Sequence, residues 1–270
     1  MKNRLDKLLV ERGLVPTRER AQALIIAGRV LVDEQKHSKP GASVASDAAI
    51  RLLGTNPGYV SRGGLKLEAA LVHWHIDLRE RFCLDVGAST GGFTDCMLQH
   101  GAARVLALDT GYGQIAQTLR DDPRVTLMER TNARLLNPGQ LPVGISFVAI
   151  DVSFISTTLV LPAVLDALHH PSGAAAPNVG HASDTVGQTP LEAVILIKPQ
   201  FEAGRQHVGK GGIVRDPAAH QLAIDRVRDR AAELGAQELD VIDSPITGAE
   251  GNREFLLHVL WRQEQNQNRS

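Results

Sequence analysis

The sequence predicts an α/β protein: a mostly parallel sheet of seven strands with helices on both faces, preceded by a small N-terminal α+β domain. Three observations carry that expectation. From residue 65 onward, short apolar strands alternate with helical patterns, as parallel strands joined by helical crossovers do. Residues 1–66 hold 12 Lys/Arg against 6 Asp/Glu, whereas the remainder holds 17 against 24, so a basic front precedes an acidic body. A Gly/Pro-containing stretch at 54–64 divides the two. A chain of 270 residues has room for about two domains.

In the front part, residues 4–12 read as a helix with Leu5, Leu8 and Leu9 on one face and Gly13 at its end. Pro16-Thr17 opens a second helix, with Thr17 placed to cap its free N–H groups. Ala21, Leu24 and Ile25 then repeat at helical spacing, and Gly28 closes the helix. Val30 to Val32 is a short strand, 33–40 a turn, and Ala49 to Leu53 another strand. The first domain therefore covers 1–55, with 56–64 as linker and 65–262 as the second domain. There, strands are expected near 82–86, 104–109, 124–128, 145–150, 193–198, 237–242 and 254–261. Helices are expected near 65–74, 92–100, 113–119, 156–169 and 216–234. Residues 170–190 are small, polar and Pro/Gly-rich, which predicts a flexible insertion. Residues 263–270 form a polar tail.

Composition excludes several classes. No apolar run approaches the roughly 20 residues that span a bilayer. The charged start leads into no export signal. Cys83 and Cys96 make no disulfide framework, and a reducing cytoplasm fits them. His73-Trp74-His75 and His169-His170 lack the spacing of metal ligands, so no metal is expected. Gly209-Lys210-Gly211-Gly212 lacks the spacing of a P-loop.

The chemistry concentrates at strand ends. Cys83-Leu84-Asp85-Val86 is a buried strand, followed by Gly87-Ala88-Ser89-Thr90-Gly91-Gly92 and a helix from Phe93. Glycines let a backbone turn sharply and approach a ligand at a helix start. Gly87…Gly91-Gly92 departs from the dinucleotide spacing Gly-x-Gly-x-x-Gly. It resembles the first motif of S-adenosylmethionine (SAM) methyltransferases, in which Asp85, Gly87, Ala88, Ser89, Thr90, Gly91, Gly92 and Phe93 would hold the methionine portion. The expected sheet is thus a Rossmann-like SAM methyltransferase sheet. Asp109 ends the second strand, where a carboxylate can accept both ribose hydroxyls of a nucleoside. Asn132, after the third strand, is placed to face an adenine.

Four ionisable residues also stand at element ends: Lys66, Asp151, Lys198 and Glu254. In an open parallel sheet, Asp151 and Lys198 would sit beside the bound methyl group. A hydroxyl acceptor needs alignment and proton removal, which these residue types supply. Lys198 is the candidate base or hydroxyl orienter, with Glu254 pairing with Lys66. Amine methylation would use an Asn/Asp-Pro-Pro-aromatic loop where this chain has Asp151-Val152-Ser153-Phe154. Methylation at pyrimidine carbon-5 would need a nucleophilic Cys at a strand end.

The order Arg-Leu-Asp-Lys-Leu-Leu near residue 4, with Thr17 to Asp33, is similar to the RNA-binding S-four-type domain. That resemblance makes Arg4, Arg18, Arg20 and Arg29, together with Arg62 in the linker, candidate RNA contacts. Ser61-Arg62-Gly63-Gly64-x-Lys66, Asp85 to Phe93, Asp151 to Ser156, Lys198 to Glu202 and Gly251-Asn252-x-Glu254 resemble the TlyA family, often labelled hemolysin A. Its members join an S-four-type domain to an FtsJ-like methyltransferase domain. The resemblance implies 2′-O-methylation of cytidines in ribosomal RNA, SAM as cofactor, and ribosomal RNA or ribosomal subunits as partner. It places the family's Lys-Asp-Lys-Glu tetrad on Lys66, Asp151, Lys198 and Glu254. The rival expectations are an RNA-binding assembly factor without catalysis and a cytolysin.

Overall fold

The computed structural model describes residues 2–12, 14–15, 17–26, 28–33, 35–52, 58–172, 190–248 and 250–261. The expected insertion at 170–190 falls almost wholly outside them, and the tail at 263–270 entirely so. The chain divides into two compact units between Gly58 and Tyr59.

The first unit contains β1 (Lys2–Arg4), α1 (Leu5–Glu11), α2 (Arg18–Ile26), β2 (Val30–Val32), β3 (Gln35–His37), β4 (Ser43–Ala45) and β5 (Ile50–Leu52). β1 pairs antiparallel with β4, and β2 lies between β3 and β5. The apolar faces read from the sequence meet here: Leu5, Leu9, Ala21, Ile25 and Val30 share one buried cluster. Gly28, at φ +65°, lets its own amide reach Ile25 O and the next amide reach Leu24 O, which closes α2. Three strands escaped the sequence reading. Arg4 belongs to β1 rather than to the first helix, β3 lies in the expected turn at 33–40, and β4 was not expected. Strands of three residues are too short to show an alternating pattern.

The second unit contains α3 (Gly63–His73), β6 (Phe82–Val86), α4 (Gly92–Gln99), β7 (Arg104–Leu108), α5 (Gln117–Arg120) and β8 (Val125–Met128). It continues with β9 (Ile145–Ile150), α6 (Thr157–His169), β10 (Leu191–Ile197), α7 (Pro199–Glu202), α8 (Pro217–Glu233), β11 (Glu238–Asp243) and β12 (Phe255–Trp261). The seven strands run in the order β11-β12-β10-β9-β6-β7-β8. β10, β9, β6, β7 and β8 are mutually parallel, and β12 is antiparallel to both neighbours. Apolar layers cover both faces, so the central strands read as continuous hydrophobic runs. The helix expected at 113–119 shrinks to α5, because Gly111 and Gly113, the latter at φ +68°, keep the chain in a loop. Among the described residues no helix is long and apolar enough to cross a membrane, and no His/Cys/Asp/Glu group could hold a metal ion.

Residues 59–64, read in the sequence as linker, pack into this second unit. Tyr59 is 9% exposed and lies over Gly64, where an added Cβ would meet the Tyr59 ring at 2.2 Å. The Val60 amide donates to Asp95 Oδ2 of α4 at 2.6 Å. Gly64→Ala therefore forces the ring out of its seat. We expect a loss of about 1–3 kcal/mol in the unfolding free energy of this unit; an unchanged denaturation midpoint would show that Tyr59 does not hold α3.

Candidate active site

β6, β7 and β9 end at one edge of the sheet, and strand order reverses between β6 and β9. Open α/β sheets bind ligands at such a reversal, outside the carboxyl ends of the strands. Gly87 leaves β6 at φ +89°, and an added Cβ would lie 2.4 Å from the Asp151 carbonyl oxygen. Only glycine lets this turn rest against the segment that leaves β9. Its amide and that of Ala88 donate to Leu108 O at 2.8 and 3.1 Å, which ties the turn to β7.

A cleft of about 320 Å³ opens beside the turn, lined by residues that include Gly87, Ser89, Asp109, Thr131, Asn132 and Asp151. That volume suits a nucleoside-sized ligand. Asp109 Oδ2 accepts from Ser89 N at 2.7 Å, and Oδ1 accepts from Gly111 N at 2.6 Å. Each oxygen keeps a lone pair for a ligand hydroxyl. Asn132 Oδ1 accepts from Arg134 N at 3.1 Å and caps a short 3₁₀ turn. Thr90 is exposed, whereas Gly91, Gly92 and Phe93 are buried at the start of α4.

Asp85 lies fully buried below the turn. Thr94 Oγ1 donates to its Oδ2 at 2.6 Å, while Oδ1 has no partner. Burial pushes its carboxyl up to about 7; the Thr94 hydrogen bond opposes the shift and Asp151 reinforces it. A cationic ligand in the cleft would relieve this cost. The glycine cradle, the orphaned Asp85 oxygen and the Asp109 carboxylate together fit the sulfonium, amino-acid and ribose groups of SAM.

A second, more polar cleft of about 230 Å³ shares Gly87, Ser89, Asp151 and Ser153 with the first and adds Lys66 and Lys198. Lys66 Nζ donates to Glu254 Oε2 at 2.5 Å, and both side chains are buried. Lys198 Nζ donates to Ser153 Oγ at 2.7 Å. It also lies 2.5 Å from Asp151 Oδ1, within ion-pair range but off hydrogen-bond geometry. Local structure explains each placement. Gly92 packs so close to the α3 start that an added Cβ would meet Ser61 Oγ at 2.2 Å, and this approach carries Lys66 inward. Lys198 follows the last residue of β10. Because β12 is antiparallel, its first residue, Phe255, pairs with Ile197 at the end of β10, so Glu254 arrives at the same edge.

Several contributors carry no role in the sequence reading. Asn252 is fully buried: its Oδ1 accepts from Val214 N at 2.9 Å and its Nδ2 donates to Gly212 O at 2.9 Å. It ties residues 212–214 to the segment that leads into β12. Glu202 accepts from Ser156 Oγ and Thr157 N at the start of α6; burial raises its carboxyl, against those two bonds. Phe154 is 92% exposed at φ +65°, beside the first cleft, with its ring 5.4 Å from that of Phe201. An apolar residue after a strand looks like core in sequence; only its exposure marks it as a contact surface. Burial pushes the Cys83 thiol up to about 12, which leaves it inert as a nucleophile. Arg62 is exposed, with Nη2 donating to Thr247 O at 3.3 Å. In the first unit Arg4, Arg18 and Arg29 are exposed, while the side chain of Arg20 lies outside the described residues.

A family model described as FtsJ-like methyltransferase matches residues 59–260, and one described as S4 domain matches residues 3–50. The chain is 43% identical over 255 residues to the 16S/23S rRNA (cytidine-2′-O)-methyltransferase TlyA of Mycobacterium tuberculosis, covering 94% of this chain and 88% of that protein. It is 39% identical over 259 residues to hemolysin A of Brachyspira hyodysenteriae, covering 95% of this chain and 99% of that one. A solved structure from Streptococcus thermophilus, described as a candidate hemolysin, superposes with a TM-score of 0.69 at 39% identity, covering 99% of this chain and 91% of that chain.

The raised carboxyl of Asp85 makes stability depend on pH. Its folded value of about 7 lies above the usual ~3.9. Its contribution is therefore fully present below about pH 4 and is lost as pH rises through about 7. Asp85→Asn removes this dependence. The unfolding free energy of the variant relative to wild type should be higher at pH 8 than at pH 5; a pH-independent difference would contradict the burial argument.

Proposed function

The chain belongs to the FtsJ-like methyltransferase family and carries an S4 domain before the methyltransferase domain; from that premise we propose that it methylates ribose 2′-hydroxyls of ribosomal RNA, at cytidines, with SAM as donor. The observation that carries this reading is the pair of Lys–carboxylate contacts, Lys66–Glu254 and Lys198–Asp151, around a cleft that shares its wall with the cofactor cleft. When bound, SAM supplies a methyl group already activated by its sulfonium. The chain's task is then to align an oxygen with that methyl group, keep water away and take a proton.

Gly87, Ser89 and Asp109, which line the first cleft, hold the donor, with the Asp85 carboxyl buried beneath the turn. Lys198, fixed between Ser153 and Asp151, binds the 2′-oxygen. As the oxygen–carbon bond forms and the methyl–sulfonium bond breaks, Lys198 takes the hydroxyl proton through its neutral amine, and the Asp151 carboxylate, 2.5 Å away, stabilises the ammonium that results. Lys66, held by Glu254, lines the same cleft and helps orient the ribose. Phe154 offers an exposed ring on which the target base can stack. A ribose acceptor agrees with the site's lack of a reactive thiol and with Asp151-Val152-Ser153-Phe154 where amine methylation would use a Pro-Pro-aromatic loop. The target RNA is argued from the S4 domain, the basic front of the chain and the rRNA named for the M. tuberculosis relative.

Lys198→Ala should lower methyl transfer to ribosomal RNA by about 10²-fold or more, while SAM and RNA affinities stay within a few-fold of wild type. Transfer at the wild-type rate would remove Lys198 from the mechanism. Phe154→Ala should raise the KM for RNA about tenfold, the scale of one lost base stack, and leave SAM binding intact; an unchanged KM would deny the ring that role.

A further inference from the structure

The basic first unit buries a carboxylate among its arginines. Asp6, in the first turn of α1, is fully buried. Its Oδ1 accepts from Arg4 Nε and Lys7 N, both at 3.0 Å. Its Oδ2 accepts from Arg4 Nη2 at 3.0 Å, Arg18 Nε at 2.8 Å and Gln22 Nε2 at 3.1 Å. The two arginines come from different elements, the end of β1 and the start of α2. Their side chains remain 49% and 45% exposed. The Arg4 guanidinium also lies flat over Gly41, within 3.5–3.7 Å of where a Cβ would sit. Arg12 differs: its guanidinium donates to the carbonyls of Ala48 and Ser46 and so closes the fold.

Desolvating a carboxylate is costly, and a domain that meets a polyanion would be more basic without it. What Asp6 provides is orientation. Long arginine side chains lose much rotamer freedom when they grip a phosphate, and a carboxylate that fixes them beforehand removes part of that loss. The Arg4 hydrogen bond holds the Asp6 carboxyl well below the usual carboxylate range, so the clamp is ionised at any working pH.

We propose that Asp6 sets Arg4 and Arg18 side by side as a preformed fork for one phosphate of the RNA backbone, so that a buried negative charge strengthens binding to a polyanion. This rests on the reading that the chain binds ribosomal RNA.

The test is filter binding of deproteinised 23S rRNA by the full-length protein over a KCl series, with wild type, Asp6→Asn and Arg18→Lys. Charge alone predicts that Asp6→Asn tightens binding, since it removes a negative charge, and that Arg18→Lys changes nothing. The fork predicts that both weaken binding, Asp6→Asn by about tenfold, the scale of a lost charge-assisted contact, with the salt slope falling by about one. Should circular dichroism show that Asp6→Asn fails to fold, Arg18→Lys decides, because it alters an exposed side chain and keeps the charge. Binding as tight as wild type in Arg18→Lys, or tighter in Asp6→Asn, overturns the fork. Wild type that shows no salt-dependent binding to rRNA overturns the RNA reading itself, a result distinct from failure of the fork.

Discussion

The site depends on one close approach: the backbone of Gly87 against the carbonyl of Asp151, where no side chain fits. Asp151 N donates to Val86 O at 2.9 Å, which carries the β6–β9 ladder to the last residue before the turn. This contact brings the cofactor loop and the segment bearing Asp151, Ser153 and Phe154 to one point at the sheet's carboxyl edge. Strand order reverses there, so the loops after β6 and β9 turn to opposite faces and leave a crevice between them. The two clefts then share a wall, and their spacing is set by backbone packing rather than by flexible side chains.

Around that crevice the chain buries two lysines and matches each with a carboxylate. A buried ion pair is weak evidence for stability, because desolvation offsets much of the attraction. Its retention here makes sense as positioning. Each partner comes from a distant part of the sequence, Lys66 from α3 and Glu254 from the start of β12, so the site assembles only when the sheet is complete. The antiparallel final strand is essential to this. A parallel strand in that place would deliver its first residue to the opposite edge. Asp6 applies the same principle in the first unit, where a buried acid fixes cations that face outward.

Much of this was legible in the sequence. Alternating strands and helices give the sheet, and the glycine spacing after Asp85 gives the turn. Four ionisable residues at element ends, Lys66, Asp151, Lys198 and Glu254, are adjacent in pairs in the structure. What escaped was tertiary. β1, β3 and β4 are three residues each and carry no periodic signal. The segment 59–64 reads as linker because glycines serve equally for flexibility and for close packing, and only the seat of Tyr59 on Gly64 distinguishes them. Asp6 looks like one more solvated charge on a helix, and Phe154 like core, because burial is invisible at a single position. Asn252 stands within a sequence motif, but its use of both amide groups to pin a distant loop follows only from the fold.

We propose that these residues direct a methyl group to a ribose hydroxyl. The most direct measurement incubates ribosomal RNA from cells lacking the protein with purified enzyme and SAM carrying a deuterated methyl group. The RNA is then digested to nucleosides for mass spectrometry. The expected result is a deuterated methyl label on the ribose of cytidine, which glycosidic cleavage separates from an unlabelled base. Label that stays with the base after cleavage would contradict it.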